Sequence, residues 1–362
     1  MLAYNRNLDE TAPKSAYTGR IQARTEMAKQ CVGIDIGSEH AKLAVFDGQQ
    51  VTQAVLCEIP DGLVRDGRIT SFEAMSDVIK AAVKENKIGA KDCAIALHPS
   101  DVLMRRITMP AMTVSQLELN LPYEFRDYIA DGKGRYSFDY AVLDIVSDED
   151  GTPKEMDLLA AAAEKEVVNS YATMLRRAGL RLKTAAPDVM SYLNLVARDQ
   201  ELNPAPEGEP PRDYCFLDIG RRNTGVYLFP QGRYEMMRLI DIGTGNLFTA
   251  VANALNIDPV MARTYVLSDY EGTQSLPACM DIYERLATEV ARVVSFYNFN
   301  FPQSNLAALH VCGRGTNIGP LMETLYEHVP VELVDICELL PPSDLSPELL
   351  RQCDIALGVT LQ

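Results

Sequence analysis

Apolar positions along this chain follow the period of strands at its start. Val32–Ile36 and Leu43–Phe46 are short apolar runs around a polar turn, and Val51–Ile59 continues in the same way, so three consecutive strands are predicted. From Thr70 the period lengthens. Phe72, Met75, Ile79 and Val83 share one face of a helix, and Thr70 with Glu73 has capping-box spacing. Alternation returns at Ala94–Leu97 and Met104–Met109 as two strands, and Val114–Ile129 reads as a helix that Pro122 kinks or breaks. Asp139–Ile145 and Asp157–Ala162 are strands around the acidic turn Ser147–Gly151; a helix over Glu164–Ala178 and a strand near Leu182 follow.

The second half opens as the first did. Cys215-Phe216-Leu217-Asp218-Ile219-Gly220 runs on to Thr224–Phe229, as Cys31-Val32-Gly33-Ile34-Asp35-Ile36-Gly37-Ser38 runs on to Lys42–Phe46. Between the halves, the Pro- and Gly-rich stretch 202–212 reads as a linker. A strand at Arg238–Ile242, a Gly243-Thr244-Gly245-Asn246 turn and helices at Leu247–Leu255 and Ile282–Tyr297 come next, the last with Leu286, Val290 and Val293 on its apolar stripe. Asp354–Val359 reads as a final helix whose Gly358 permits close approach of another helix.

Both hairpins end a strand in a carboxylate and turn on a glycine. Glycine lets backbone N–H groups approach an anion closely, while the carboxylate suits Mg²⁺ or an attacking water and would repel the phosphate itself. One strand-Asp-x-Gly turn is ordinary turn chemistry. Two suggest a duplicated fold with both turns directed at one nucleotide phosphate tail. A third motif, Leu309-His310-Val311-Cys312-Gly313-Arg314-Gly315-Thr316-Asn317, is a buried strand running into a Gly-x-Gly-Thr turn, with a helix start beyond it.

In order and spacing the three motifs resemble the two phosphate motifs and the adenosine motif of the actin, Hsp70 and sugar-kinase superfamily. Within it, Ile59-Pro60-Asp61-Gly62-Leu63-Val64, Gly67-Arg68-Ile69-Thr70, Ile107-Thr108-Met109-Pro110-Ala111-Met112, Gln116-Leu117-Glu118 and Tyr123-Glu124-Phe125 before Tyr128-Ile129 resemble the type IV pilus assembly family PilM, related to FtsA, over roughly residues 31–362. The resemblance implies an α/β, actin-like (ribonuclease H-like) bilobal fold with duplicated sheet-and-helix lobes. The expected parts are a flexible tail over 1–30, a first lobe over 31–201 with an inserted subdomain at about 58–145, the linker 202–212, a second lobe over 213–344, and a segment 345–362 returning to the first lobe.

The resemblance also implies ATP or ADP with Mg²⁺ as cofactor. Asp35, Gly37, Ser38 and Lys42 of the first turn, Gly220 and Thr224 of the second, Gly243 and Gly245, and Gly313, Gly315 and Thr316 would bind the nucleotide. Asp35 and Asp218 would hold the metal, and Asp188 and Asp218 would serve any hydrolysis, expected to be at most slow. Asp188 before an apolar helix reads equally well as a helix N-cap. Arg221 and Arg222 read more readily as a solvated hairpin tip than as γ-phosphate ligands. Glu39, Arg263 and Arg314 depart from the family pattern: Glu39 suits a phosphate only by pointing to solvent, and Arg263 cannot accept a hydrogen bond from a ribose hydroxyl. The partner implied is a PilN-like inner-membrane protein held through its N-terminal peptide, together with self-association, at the cytoplasmic side of the inner membrane. An FtsA-like division ATPase and a small-molecule kinase are the alternative readings; the chain ends in Thr360-Leu361-Gln362 without the amphipathic helix usual in FtsA relatives.

Charge narrows the partners further. The 34 Lys and Arg against 50 Asp and Glu leave a net charge of −16, which disfavours phosphodiester backbones and anionic membrane surfaces. The eight cysteines show no metal-ligand spacing and read as free thiols, and His310, inside an apolar strand, reads as a core residue. No run is long and apolar enough for a membrane span.

Overall fold

A computed structural model describes residues 30–129, 133–303 and 306–361. The tail expected over 1–30 thus lies, apart from Gln30, outside the described residues. Contacts divide the chain into two units. Unit 1 runs up to Asn194 and resumes at Ile355; unit 2 is Leu195–Asp354.

Unit 1 is built on a five-stranded sheet of order β10-β6-β1-β2-β3. Strands β1 (Cys31–Ile36), β2 (His40–Phe46) and β3 (Val51–Glu58) form an antiparallel meander, then come the short β4 (Val64–Arg65) and β5 (Arg68–Ile69). Helix α1 (Phe72–Glu85) leads to β6 (Asp92–Leu97), which lies parallel to β1. The cap of α1 falls one residue later than its spacing predicts: Ser71 accepts from the Ala74 N–H, while the Thr70 hydroxyl donates to the Gly62 and Leu63 carbonyls. Met75, Ile79 and Val83 are buried beneath this helix as its period requires.

The insert also differs from its expected bounds. Strands β7 (Val102–Pro110), β8 (Tyr136–Ser147) and β9 (Pro153–Glu164) form a separate antiparallel sheet of order β7-β9-β8, joined by α2 (Val114–Glu124). The separate sheet therefore runs from 102 to 164, not 58 to 145: β6 is claimed by the main sheet through its pairing with β1 and β10, a long-range contact that periodicity does not encode. Helix α2 stops at Glu124, soon after Pro122, whose ring removes a backbone donor. Central strand β9 is buried throughout Leu158–Ala163 because its two faces feed two cores there. Leu158, Ala160 and Ala162 pack with Leu117, Leu121 and Phe125, whereas Ala161 and Ala163 join the core under the main sheet. From β9 the chain enters α3 (Lys165–Arg177), β10 (Arg181–Pro187) and α4 (Val189–Leu202).

The C-terminal helix α10 (Asp354–Gly358) completes unit 1 from Ile355 onward. Ser191 donates to the Ile355 carbonyl at 2.8 Å and Asn194 to the Gly358 carbonyl at 2.9 Å. Two glycines make this closeness possible. A Cβ on Gly33 would lie 1.6 Å from the Ala356 carbonyl oxygen, and one on Gly358 2.5 Å from that of Ser191.

Unit 2 repeats the plan. Its sheet has the order β13-β12-β11-β14-β15, with β11 (Tyr214–Ile219), β12 (Thr224–Phe229) and β13 (Met236–Ile240) antiparallel and β14 (Ala308–Cys312) and β15 (Glu332–Asp335) parallel to β11. Helices α5 (Thr244–Leu255), α6 (Pro259–Ser268), α7 (Pro277–Asn300), α8 (Gly319–His328) and the short α9 (Pro347–Leu350) complete it. Strand for strand, the two sheets share the ribonuclease H-like order, and the duplication makes this an actin-like fold. Strand β12 is buried at every position because both its faces are covered. The stretch 202–212, beyond the first residue, lacks regular structure and belongs to unit 2; the chain passes between units earlier, after Asn194 in α4.

On one face of this sheet His310 lies against Tyr214 and Phe216, with ring centroids 6.2 and 5.6 Å away. Burial, aided by the charge of Arg212, pushes its pKa down to about 4. The unfolded chain then binds a proton below the ordinary value of 6.5 that the native state refuses until about pH 4, so stability is full above pH 6.5 and falls as the pH drops. Relative to neutral pH the loss at pH 5 is expected to be ~2 kcal/mol. Urea denaturation at pH 7 and pH 5 measures it, and the His310→Phe variant should lose that share of the pH dependence.

Candidate functional site

In unit 1 the candidate residues gather at the carboxyl ends of the parallel strands. Asp35 is the penultimate residue of β1, and Asp188 follows the last residue of β10. Strand β6 lies between those two, so the strand axes that carry them are ~10 Å apart. Asp35 opposes Lys42 across the β1–β2 pair, and their side chains form an ion pair at 2.8 Å with both groups largely shielded. Lys42 thus fixes the carboxylate beside the turn. Asp188 behaves as a helix-start residue: its Oδ1 accepts from the Val189 N–H at 2.7 Å, and its carbonyl accepts from Ser191.

The first turn is the one place where a candidate glycine has no packing reason. A Cβ on Gly37 would meet only the His40 carbonyl of its own turn, at 3.4 Å, so no distant segment crowds this glycine, and its N–H donates to that same carbonyl at 3.0 Å. Glu39, which would suit a phosphate only by pointing to solvent, is buried at 8% exposure, and its carbonyl accepts from the Ile59 N–H just beyond β3.

In unit 2 the candidate glycines are accounted for by the protein's own packing. A Cβ on Gly313, at φ +81°, would lie 2.3 Å from Asp218 Oδ1, and one on Gly315 2.1 Å from the Ile219 side chain. The adenosine-type turn therefore rests directly on the end of β11. A Cβ on Gly243 would lie 2.4 Å from the Arg221 carbonyl oxygen, and one on Gly245 3.0 Å from the same atom. That carbonyl accepts from the Gly245 N–H, the Gly220 carbonyl accepts from Thr244, and Asn246 Oδ1 accepts from Gly243. The hairpin tip thereby caps α5, whose first donors are spent on protein oxygens and not on an anion. The Thr224 hydroxyl is buried and donates to the Ile242 carbonyl at 2.7 Å, and Thr316 donates to Gly313 at 2.8 Å.

Arginine, not glycine, gives unit 2 its local charge. Burial and then the neighbouring Arg263, Arg314 and Arg222 lower the pKa of Arg221, which places four guanidinium groups in one neighbourhood. Arg314 follows the Gly313 that touches Asp218, so this positive field sits beside the second hairpin. Each arginine is visible in the sequence; their convergence is not, since they come from a hairpin tip, a helix and a turn far apart in the chain.

The strand orders, the paired Asp-Ile-Gly hairpins and the third turn resting on the second hairpin accord with one family. The profile of the type IV pilus assembly protein PilM family matches residues 33–348. The chain belongs to the type IV pilus assembly protein PilM family. A solved structure of a PilM–PilN type IV pilus biogenesis complex is similar at 22% identity and a TM-score of 0.72, covering 91% of this chain and 97% of that one. The ethanolamine utilization protein EutJ from Carboxydothermus hydrogenoformans is similar at 15% identity and a TM-score of 0.53, covering 91% of this chain and 88% of that one. At these identities the likeness bears on the fold. No curated protein sequence matches the chain. Membership of the PilM family decides against the division and kinase readings. Among the described residues no helix is long and apolar enough to cross a membrane, and all eight cysteines are free.

Proposed function

We propose that this PilM-family chain is a nucleotide-responsive adaptor of type IV pilus assembly that holds the N-terminal peptide of a PilN-like inner-membrane protein, on the cytoplasmic side. The observation that carries the peptide reading is the insert. Its sheet and α2 have a core of their own, yet Leu119 and Tyr123, four residues apart on α2, are 72% and 57% exposed, and Tyr128 just beyond is 58% exposed. Leu119 is the most exposed of the three, and the Tyr128 ring carries the Arg105 guanidinium 4.5 Å from its centroid. Exposed Glu118 beside them and the net charge of −16 favour a short peptide that is both basic and apolar. Fluorescence anisotropy with the N-terminal peptide of the adjacent genomic PilN-type protein tests this. Leu119→Asp is expected to weaken binding at least ~10-fold, with thermal stability unchanged. Undiminished binding by that variant, or no binding by the unmodified chain, would sink the reading.

For the nucleotide, the uncrowded Gly37 turn of unit 1 and the arginine neighbourhood beside Asp218 in unit 2 each suit an anionic phosphate. Asp35 and Asp218, each the penultimate residue of the first strand of its unit, are the candidate Mg²⁺ partners, and carboxylate oxygens suit that ion. Asp188 would orient the water of a slow hydrolysis that acts as a conformational switch. Calorimetric titration with ATP and ADP, with and without Mg²⁺, tests the site. Asp218→Asn is expected to reduce the Mg²⁺-dependent part of ATP affinity by ~10-fold; identical titrations would leave the second hairpin a structural turn.

A further inference from the structure

The turn after β14 is held at both ends by one residue that no motif in the sequence marks. Gly313, at φ +81°, donates its N–H to the Arg351 carbonyl at 2.8 Å. The side chain of the same arginine reaches the far end of the turn, where Nη2 donates to Asn317 Oδ1 at 3.5 Å. Between these contacts the turn is closed by its own Thr316 hydroxyl, which donates to the Gly313 carbonyl, and Gly315 rests on Ile219. Arg351, the first residue beyond α9, therefore spans the whole segment that resembles an adenosine motif.

Arg351 is itself anchored to the sheet that carries the turn. Its Nη1 donates to Asp335 Oδ2 at 2.8 Å, and the two side chains are shielded to 20% and 32% exposure. Asp335 closes β15 and stands opposite Val311, the residue before the last of β14. Its other oxygen, Oδ1, accepts from the Cys337 N–H at 2.9 Å, so the carboxylate cannot swing away without losing that bond. The guanidinium thus holds a strand end with one arm and the turn with the other. A lysine ammonium would keep the charge beside Asp335 and lose the bridge to Asn317, because it is a single point and not a planar fork. A turn that lays its backbone against a flat base works best when that backbone is in place before the ligand arrives, since ordering it on binding costs affinity.

On the nucleotide reading given above, we infer that Arg351 is a positioning residue for the nucleoside end of the site, bridging Asp335 and Asn317 to fix the Gly313–Asn317 turn. The test is calorimetric titration of the full chain with ATP and with inorganic tripolyphosphate. Arg351→Ala should weaken ATP binding ~10-fold, the scale of one hydrogen bond to a charged group, and leave tripolyphosphate binding unchanged, because both Asp-Ile-Gly turns are intact. Arg351→Lys should keep the thermal midpoint through Asp335 and still lose ATP affinity. Asn317→Ala, at an exposed position, should weaken ATP binding in the unmodified chain but not further in Arg351→Ala, since the two side chains act as one unit. Circular dichroism checks that each variant folds. Equal losses for ATP and tripolyphosphate overturn the proposal, as does an Arg351→Lys variant that binds ATP like the unmodified chain. Additive losses from Asn317→Ala and Arg351→Ala overturn it too. An unmodified chain that binds no ATP removes the nucleotide reading and this role with it, whereas ATP binding that Arg351→Ala leaves unmoved overturns the role of Arg351 alone.

Discussion

Gly33→Ala is expected to destabilise unit 1 by ~3 kcal/mol or more, at or above the top of the usual range for overpacking. The added Cβ would lie 1.6 Å from the Ala356 carbonyl oxygen, with the Thr360 methyl 2.7 Å away. A side chain in that position could rotate aside; a main-chain carbonyl inside a helix cannot. Strand β1 or helix α10 must therefore move, and α10 is also fixed by the bonds from Ser191 and Asn194 on α4. Scanning calorimetry measures the cost. A second readout, protection of the amides of α10 against hydrogen exchange, should fall with it, because local opening replaces the native packing. Because β1 carries Asp35 near its end, nucleotide affinity should fall in the same variant. A melting curve for Gly33→Ala that overlays the unmodified chain would show that α10 does not pack on β1 in solution.

Asp199→Ala is expected to cost unit 2 ~1–3 kcal/mol, the penalty for leaving a buried donor without its acceptor, because the Arg212 side chain is 54% exposed and its lost ion pair adds little. Asp199 is 5% exposed in the second half of α4. It accepts from the fully buried Tyr214 hydroxyl at 2.5 Å, from Asn203 at 2.9 Å and from the Arg212 guanidinium. Truncation leaves the phenol without an acceptor and takes the carboxylate away from Arg212, which itself stacks on Tyr214. Tyr214 begins β11, whose penultimate residue is Asp218, so the damage lies at the foot of the strand that carries the candidate hairpin. Urea denaturation reads the effect. Asp199→Asn, which keeps an acceptor oxygen, should lose clearly less, and equal losses would assign the effect to packing alone.

Much of the candidate site was legible because it is local. A carboxylate and a glycine between two apolar runs define a hairpin wherever they occur, and both hairpins form with the pairing their spacing implies. The role of the individual glycines was not legible. Gly243, Gly245, Gly313 and Gly315 read as ligand contacts, yet each sits where a Cβ would strike the protein's own chain, and only Gly37 is left open. Which atom crowds a glycine depends on segments far away in the chain, and no local pattern carries that information. Glu39 is the same case in reverse: polar in sequence, it is buried in the folded chain.

By itself, then, the sequence determined most of the elements, though not β4, β5, α6, β15 or α9, together with the duplicated hairpins and the family, since strand and helix periods, turn chemistry and motif order are properties of neighbouring residues. Only the tertiary structure decided where the insert begins, because the choice between β6 and β7 is made by pairing with β1 and β10. It also decided that four separate arginines share one neighbourhood, that the second hairpin caps α5, and that Arg351 bridges Asp335 and Asn317. The physical reason is common to all of these: hydrogen-bond pairing, close packing and Coulomb interaction act between atoms that are near in space, and the folded chain alone sets which residues those are.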